Sequence, residues 1–325
     1  MSRIVCFGEA LIDFHGRIEP EDATPAFIAH AGGGPANVAV AVARLGGDVA
    51  FVGMLGADVF GDLIERRLRE AGVDVRYARR TDAAHTALAF VTLDAEGERS
   101  FSFYRPPAAD LLFRDADFDA EAFEGLAIFH CGSCSLTEPK IAEATLSGMR
   151  RARAAGALVS FDMNLRPALW PRDADPAPTV WSALELAELV KLSAEEFEFL
   201  VASVGNPDAM LERLWRGAVR FLIVTDGTAP IRWFTRTASG SVPAYHVRVV
   251  DSTGAGDAFV GGLLHGFAKE PVDASAFDAW CADADRRDSL LRFAAACGAL
   301  AVMRTGSFAA MPDRAAVISF LEKYR

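Results

Sequence analysis

The run Asp251-Ser252-Thr253-Gly254-Ala255-Gly256-Asp257, followed by the apolar stretch Ala258 to Leu264, sets a carboxylate among small residues at what reads as a helix start. Side chains without bulk let an anion approach the backbone. The N–H groups of Ala255, Gly256 and Asp257 would face it, with the helix dipole behind them. Asp257 could take a proton from a hydroxyl while those amides, from Gly254 onward, hold a transferring phosphoryl group. At a helix start this carboxylate is expected to stay ionised near neutral pH. The plain alternative is a tightly packed helix start. Gly261 and Gly262 cost about 1 kcal/mol each against alanine inside a helix, which argues for a close backbone approach there. A dinucleotide fingerprint fails because Phe259 stands where its third glycine belongs, and no Gly-x-x-x-x-Gly-Lys-Ser/Thr loop occurs.

Other groups suit the acceptor side of such a reaction. Gly32-Gly33-Gly34 precedes a helix opening at Pro35, and Asn37 in its first turn offers both a donor and an acceptor to a hydroxylated ligand. Asp162, Asn164 and Arg166 alternate just past a strand, where open α/β sheets bind ligands. Asp13 follows the first strand and could accept from two neighbouring hydroxyls. Ser193 and Glu196 have the spacing of a capping box, and Glu196 could also hold water on a magnesium ion. Cys131-Gly132-Ser133-Cys134 lacks a second ligand pair and a helix-opening context, so it reads as structural.

These groups need a scaffold. Short apolar runs (Arg3–Gly8, Val49–Gly53, Ala127–Cys131, Leu158–Asp162, Leu189–Leu192, Phe221–Thr225) alternate with helical patterns at Pro35–Leu45, Phe60–Ala71, Pro139–Ala155, Ala194–Ser203 and Pro207–Arg216. The alternation predicts an α/β fold: a mostly parallel sheet with helices on both faces. Segments of about 14–31 and 75–105 carry strand-like alternation without helices, which predicts a small β-lid. All 325 residues are expected to form one domain, with polar loops at Pro171–Pro178 and Ala282–Asp288 and a buried helix over Phe293–Met303. A net charge of −11 argues against nucleic-acid and membrane-surface partners. Five cysteines, an odd number, and an N-terminus that reads as a strand suggest a cytoplasmic protein.

Taken together, the Gly32–Asn37 loop, with Gly46 and Gly56 beyond it, and the Asp251–Leu264 run resemble the two motifs of the ribokinase-like carbohydrate kinases, the PfkB family. The resemblance runs from the first strand to the last helix. Within the family, Gly8–Phe14, Phe103-Tyr104-Arg105, Gly132-Ser133 and Asp162–Trp170 are most similar to bacterial fructokinases. It implies the ribokinase-like sheet and lid, and an ATP- and Mg²⁺-dependent kinase making fructose 6-phosphate. Asp257 would be the base, with Gly254, Ala255 and Gly256 completing the anion hole. Asp13, Gly33, Gly34 and Asn37 would bind the sugar, with Phe101 and Arg105 reaching from the lid and Arg166 near the sugar or phosphate. Ser193, Thr225 and Gly227 would border the nucleotide, and Glu196 the magnesium. Asp251, Thr253 and Gly306 would hold the potassium ion that many members bind. Three positions depart from the family pattern: Ser193 replaces an Asn, Pro230 a Gly of the nucleotide loop, and Ala295 an Asn facing the nucleotide. A 2-keto-3-deoxygluconate kinase and a catalytically inactive sugar sensor are the competing expectations. Exposed lid strands would invite pairing into a homodimer.

Overall fold

In the computed structural model, residues 2–18, 25–93, 99–269 and 276–324 are described. Among the described residues, thirteen strands fall into two sheets: β1 (Arg3–Phe7), β2 (Leu11–Ile18), β3 (Pro25–Gly32), β4 (Val49–Gly56), β5 (Ala78–Thr81), β6 (Leu88–Leu93), β7 (Arg99–Tyr104), β8 (Leu126–Gly132), β9 (Leu158–Asp162), β10 (Leu189–Ser193), β11 (Phe221–Thr225), β12 (Ile231–Phe234) and β13 (Ser239–Val242). The large sheet has nine strands in the order β13-β12-β11-β10-β9-β8-β1-β4-β5, and the small one has four in the order β3-β2-β6-β7. All pairings from β11 to β5 are parallel, while β12 and β13 add an antiparallel edge.

Helices α1 (Gly34–Arg44), α2 (Val59–Glu70), α3 (Pro139–Ala154), α4 (Ala177–Leu184), α5 (Ala194–Val204), α6 (Pro207–Arg216), α7 (Ala255–Lys269), α8 (Phe277–Ala282), α9 (Ala284–Ala301), α10 (Ser307–Ala310) and α11 (Arg314–Lys323) cover the large sheet. The pleat of β1 shows how. Ile4 and Cys6 join a core with α1, α7 and α9. Val5 and Phe7, pointing the other way, join a core with α3 and α4. There Phe7 meets Phe113 and Phe118 at ring distances of 5.1 and 4.9 Å.

The lid expectation needs correction at two places. Val75–Thr81 does not belong to the small sheet, because β5 pairs in parallel with β4 as the edge of the large one. The small sheet also begins earlier, at Leu11. Parts of the expected lid, 19–24 and 94–98, lie outside the described residues. The loop expected at Ala282–Asp288 is mostly helical, since the Asp283 side chain accepts from Arg286 N at 3.1 Å and starts α9 there. Its charges mark a cap. Likewise α4 opens at Ala177 with Pro178 in its first turn, a position where proline costs nothing.

The glycines of α7 are packing residues. A Cβ on Gly261 would lie 2.4 Å from Ala41 Cβ of α1, and one on Gly262 would lie 2.9 Å from Cys297 Sγ of α9. α7 is thereby drawn against both neighbours. Gly261→Ala should therefore lose about 1–3 kcal/mol of stability through overpacking, despite alanine's better helix propensity. A denaturation midpoint equal to or above that of the parent chain would remove this packing constraint.

Candidate active site

The chain first builds outward from β1 to β4 and β5, then returns to β8 on the other side of β1 and continues to β11. The crevice between β1 and β8 is thus the topological switch point, where α/β sheets take ligands. A cavity of about 770 Å³ opens at these strand ends, and its wall combines Asp13, Gly33, Gly34, Asn37, Arg166, Ser193, Glu196 and Gly254 to Asp257. Residues as far apart in sequence as Asp13 and Asp257 therefore share one cavity.

Asp257 sits in the first turn of α7 and is 8% exposed. Its Oδ2 accepts from Asn37 Nδ2 at 2.7 Å, across 220 positions of sequence. Burial, helped by the negative Asp162, pushes the Asp257 carboxyl up to about 7, against the pull of Asn37, Lys191 and Arg166. The expectation that it stays fully ionised is thus corrected: desolvation outweighs the helix dipole. By position, the amides of Ala255, Gly256 and Asp257 have no partner within the helix. Ala255 N donates to Ser252 O at 3.3 Å, which leaves Gly256 and Asp257 as the better placed pair for an anion.

On the acceptor side, Asp13 on β2 takes a hydrogen bond from Ser307 Oγ at 3.2 Å. Its carboxyl is raised to about 6 by burial and by Asp251, with Ser307 and Arg166 opposing. Gly33 has φ 107°, and a Cβ there would lie 2.6 Å from Glu9 O, so this turn admits only glycine. Asp162, Asn164 and Arg166 all line the cavity, as their alternation predicts. Asn164 adopts φ 41°, the one non-glycine residue at positive φ among the described residues and of a type that tolerates it.

Several expected contacts are not brought together. Arg105 does not line the cavity. It is 6% exposed, paired with Asp110 at 2.7 Å and donating to Cys134 O at 2.7 Å and Thr137 Oγ1 at 3.3 Å. Its guanidinium anchors the small sheet's exit to the core. The Phe101 side chain lies outside the described residues; Phe103 of β7 lines the cavity. Thr225 is the register partner of Ser193, and Gly227 follows at φ 50° in an exposed turn, yet neither reaches the cavity wall. Ala295 is 7% exposed in the helical core, while Pro230 is exposed. Asp251 ties the third expected group together: Oδ1 accepts from Thr253 N at 3.0 Å and Oδ2 from Gly306 N at 3.2 Å.

The capping box is present, with Ser193 N donating to Glu196 Oε2 at 2.7 Å and Glu196 N to Ser193 Oγ at 3.1 Å. Glu196 Oε1 accepts from Leu165 N at 2.7 Å, so both oxygens are already engaged. Burial and Asp162 raise this carboxyl, and Lys191 opposes them.

Two cavity residues carry charges that the sequence reading left without a role. Lys191 Nζ lies 3.1 Å from Asp162 Oδ1 and 3.1 Å from where a Gly256 side chain would begin, setting a cation beside the amides of α7. Burial acts to lower its ammonium, but Asp162 and Glu196 more than offset that, and it titrates above the ordinary lysine range. Glu9, 4% exposed, accepts from Gly34 N at 2.9 Å through Oε1. A lone charge within an apolar strand (Lys191) or just past one (Glu9) is the signal these residues give, because unpaired charges are rarely buried. The five cysteines are free and buried, and burial pushes every thiol up, so the Cys131–Cys134 pair is inert packing.

A model of the pfkB family carbohydrate kinases matches residues 1–314. Fructokinase-1 of Oryza sativa subsp. japonica is 42% identical over 98% of this chain and 97% of its own. Fructokinase-1 of Zea mays is also 42% identical, over 98% of each. Among solved structures, a fructokinase from Xylella fastidiosa with bound ATP shares 53% identity, with a TM-score of 0.95 over 99% of this chain and 98% of its own. A fructokinase from Vibrio cholerae O395 in a fructose-, ADP- and calcium-bound form shares 31% identity, with a TM-score of 0.86 over 99% of each chain. With a family model spanning nearly its whole length and a buried carboxylate, two helix-start amides and a buried lysine gathered at the switch point, the chain belongs to the pfkB family of carbohydrate kinases.

Proposed function

We propose that the protein transfers the γ-phosphoryl group of ATP to the terminal hydroxyl of fructose, giving fructose 6-phosphate. The observation that carries this reading is the placement of Asp257: on the cavity floor, held by Asn37 through Oδ2, with Oδ1 left to meet a hydroxyl. The hydroxyl oxygen attacks phosphorus, its proton passes to Asp257 Oδ1, and the bond from phosphorus to the bridging oxygen breaks toward ADP. In such a loose transition state, positioning and charge stabilisation supply most of the rate. The amides of Gly256 and Asp257, with Lys191 Nζ beside them, face the charge on the transferring group. Ser193, on the cavity wall, borders the nucleotide.

The residues fit a magnesium ion held by phosphate and water, not by a protein cage. Both Glu196 oxygens already accept backbone N–H groups, so each has one lone pair left for a metal-bound water. Magnesium would neutralise the phosphate oxygens when bound. Asp251, Thr253 and Gly306 form the loop junction suited to a potassium ion.

The sugar end favours a neutral ligand. Glu9, Asp13, Asp162 and Asp257 all line the cavity, and a carboxylated sugar such as 2-keto-3-deoxygluconate would bring its charge among them. The five buried thiols suit a reducing cytoplasm. Phe27, Ile28 and Tyr104 of the small sheet are 43%, 44% and 66% exposed, and this surface suits a homodimer built lid to lid. A mass in solution equal to one chain would contradict the dimer.

ADP release measured against fructose, ribose, glucose, ketodeoxygluconate and adenosine should give the highest kcat/KM with fructose. Preference for another acceptor overturns the fructose assignment, and sugar binding without turnover on any of them would indicate a sensor. Asp257→Asn should lower kcat by at least about 10² while the KM for fructose stays within a few-fold. The base must be deprotonated to act, and its carboxyl is raised to about 7 in the free site. Hence kcat/KM should rise roughly tenfold per pH unit below that value and level off above it. A flat profile between about pH 5.5 and 8 is incompatible with this assignment.

A further inference from the structure

Behind the sugar end of the cavity lies a recess of about 10 Å³, whose lining includes Glu9, Gly34, Ser133, Asp162, Asn164 and Asp257. That room matches one water molecule and nothing larger. Glu9 is 4% and Ser133 0% exposed, and Glu9 Oε2 and Ser133 Oγ have no hydrogen-bond partner among the described residues. Leaving two such atoms unsatisfied would cost about 1–3 kcal/mol each, so a native structure supplies them with a partner.

The recess exists because residue 34 has no side chain. A Cβ there would lie 2.9 Å from Asn164 Nδ2, 3.2 Å from Glu9 Oε1 and 3.8 Å from Asp257 Oδ1, in the middle of the polar groups that meet behind the base. Among the described residues no three acidic, histidine or cysteine side chains converge as a metal site, so the ligand chemistry that fits is a neutral group able both to donate and to accept.

We propose that the recess binds a single internal water, which donates to Glu9 Oε2 and accepts from the Ser133 hydroxyl, and that Glu9 is thereby a positioning residue for Asn37 and Asp257. Glu9 Oε1 accepts the N–H of Gly34, the first residue of α1, which has no side-chain cap of its own. Asn37 lies one turn further along that helix and grips the base. A carboxylate held at both oxygens sets the height of this helix end. Fixing Oε2 to Ser133, at the end of β8, anchors α1 to the central strands on the far side of the switch point.

Two crystal structures, with and without fructose, at a resolution showing ordered water, test the site directly. Expected in both is a water within about 2.7–3.2 Å of Glu9 Oε2 and Ser133 Oγ. An unfilled recess, or a fructose oxygen in that place in the complex, overturns the proposal. Kinetics test the role and rest on the proposed reaction, whereas the diffraction result does not, so the two can fail separately. Ser133→Ala removes the water's donor and should lower kcat about 2- to 10-fold with an unchanged KM for fructose. Glu9→Gln keeps an acceptor for Gly34 N and an amide for the water, and should retain more turnover than Glu9→Ala. A kcat for Ser133→Ala equal to that of the parent chain, or Glu9→Gln falling as far as Glu9→Ala, counts against the positioning role. Ser133→Ala keeps the role testable if Glu9→Ala does not fold.

Discussion

The hydrogen bond from Asn37 Nδ2 to Asp257 Oδ2, 2.7 Å long, is the contact that the rest of the structure is arranged to permit. It joins the first turns of two helices, each entering after a glycine at positive φ, Gly33 and Gly254. Both helix starts must come within reach of one carboxylate, so the helix bodies must also lie unusually close. Gly261 against Ala41 provides that closeness, about one turn beyond Asp257 in α7. The small residues along α7 and the glycines before α1 therefore serve one geometric end from two directions: the first lets the axes approach, the second lets the chain turn into them.

Gathering Glu9, Asp13, Asp162 and Asp257 at one cavity in a chain of net charge −11 works against stability. The protein answers with local cations at different depths. Lys191 pairs with Asp162 at the floor, Arg105 lies buried where its charge bears on Glu9, and exposed Arg166 acts on both Asp13 and Asp257 from the rim. The balance is deliberately incomplete at Asp257, where desolvation still wins and raises the carboxyl to about 7. In the proposed reaction a carboxylate at its ordinary value would be a poorer proton acceptor, so the unfavourable burial would serve the chemistry.

What was legible in the sequence follows the range of each interaction. The Gly32–Asn37 and Asp251–Leu264 segments, the alternation Asp162, Asn164, Arg166, and the Ser193–Glu196 box are local patterns, and the fold places them as their spacing implies. Position along the chain could not show whether Arg105 faces inward or outward, because its partners, Asp110, Cys134 O and Thr137, depend on how the small sheet leaves the core. Glu9 and Lys191 were hidden for a related reason. Glu9 lies just past the apolar β1 and Lys191 in the middle of β10, and only parallel pairing with the neighbouring strands, which sets Lys191 against Asp162, shows what surrounds them. The charged segment near Asp283 misled in the opposite sense, since a cap and a loop share the same polar composition and differ only in one backbone hydrogen bond.

The anchoring of Arg105 bears on how the small sheet contributes to the sugar site. Tyr104 is 66% exposed and the next residue only 6%, so the chain passes from solvent to core within one peptide unit and is held there by a buried ion pair. The sheet's cavity contacts, Leu11, Asp13 and Phe103, all lie near this root, while Phe27 and Ile28 face outward. Side chains at the root of a sheet move least when its outer part swings, since displacement grows with distance from the anchor. The side chains that the small sheet presents to the cavity are therefore those tied most directly to the large sheet through the Arg105–Asp110 pair, and in the proposed reaction Asp13 and Phe103 would keep their places as the outer strands move.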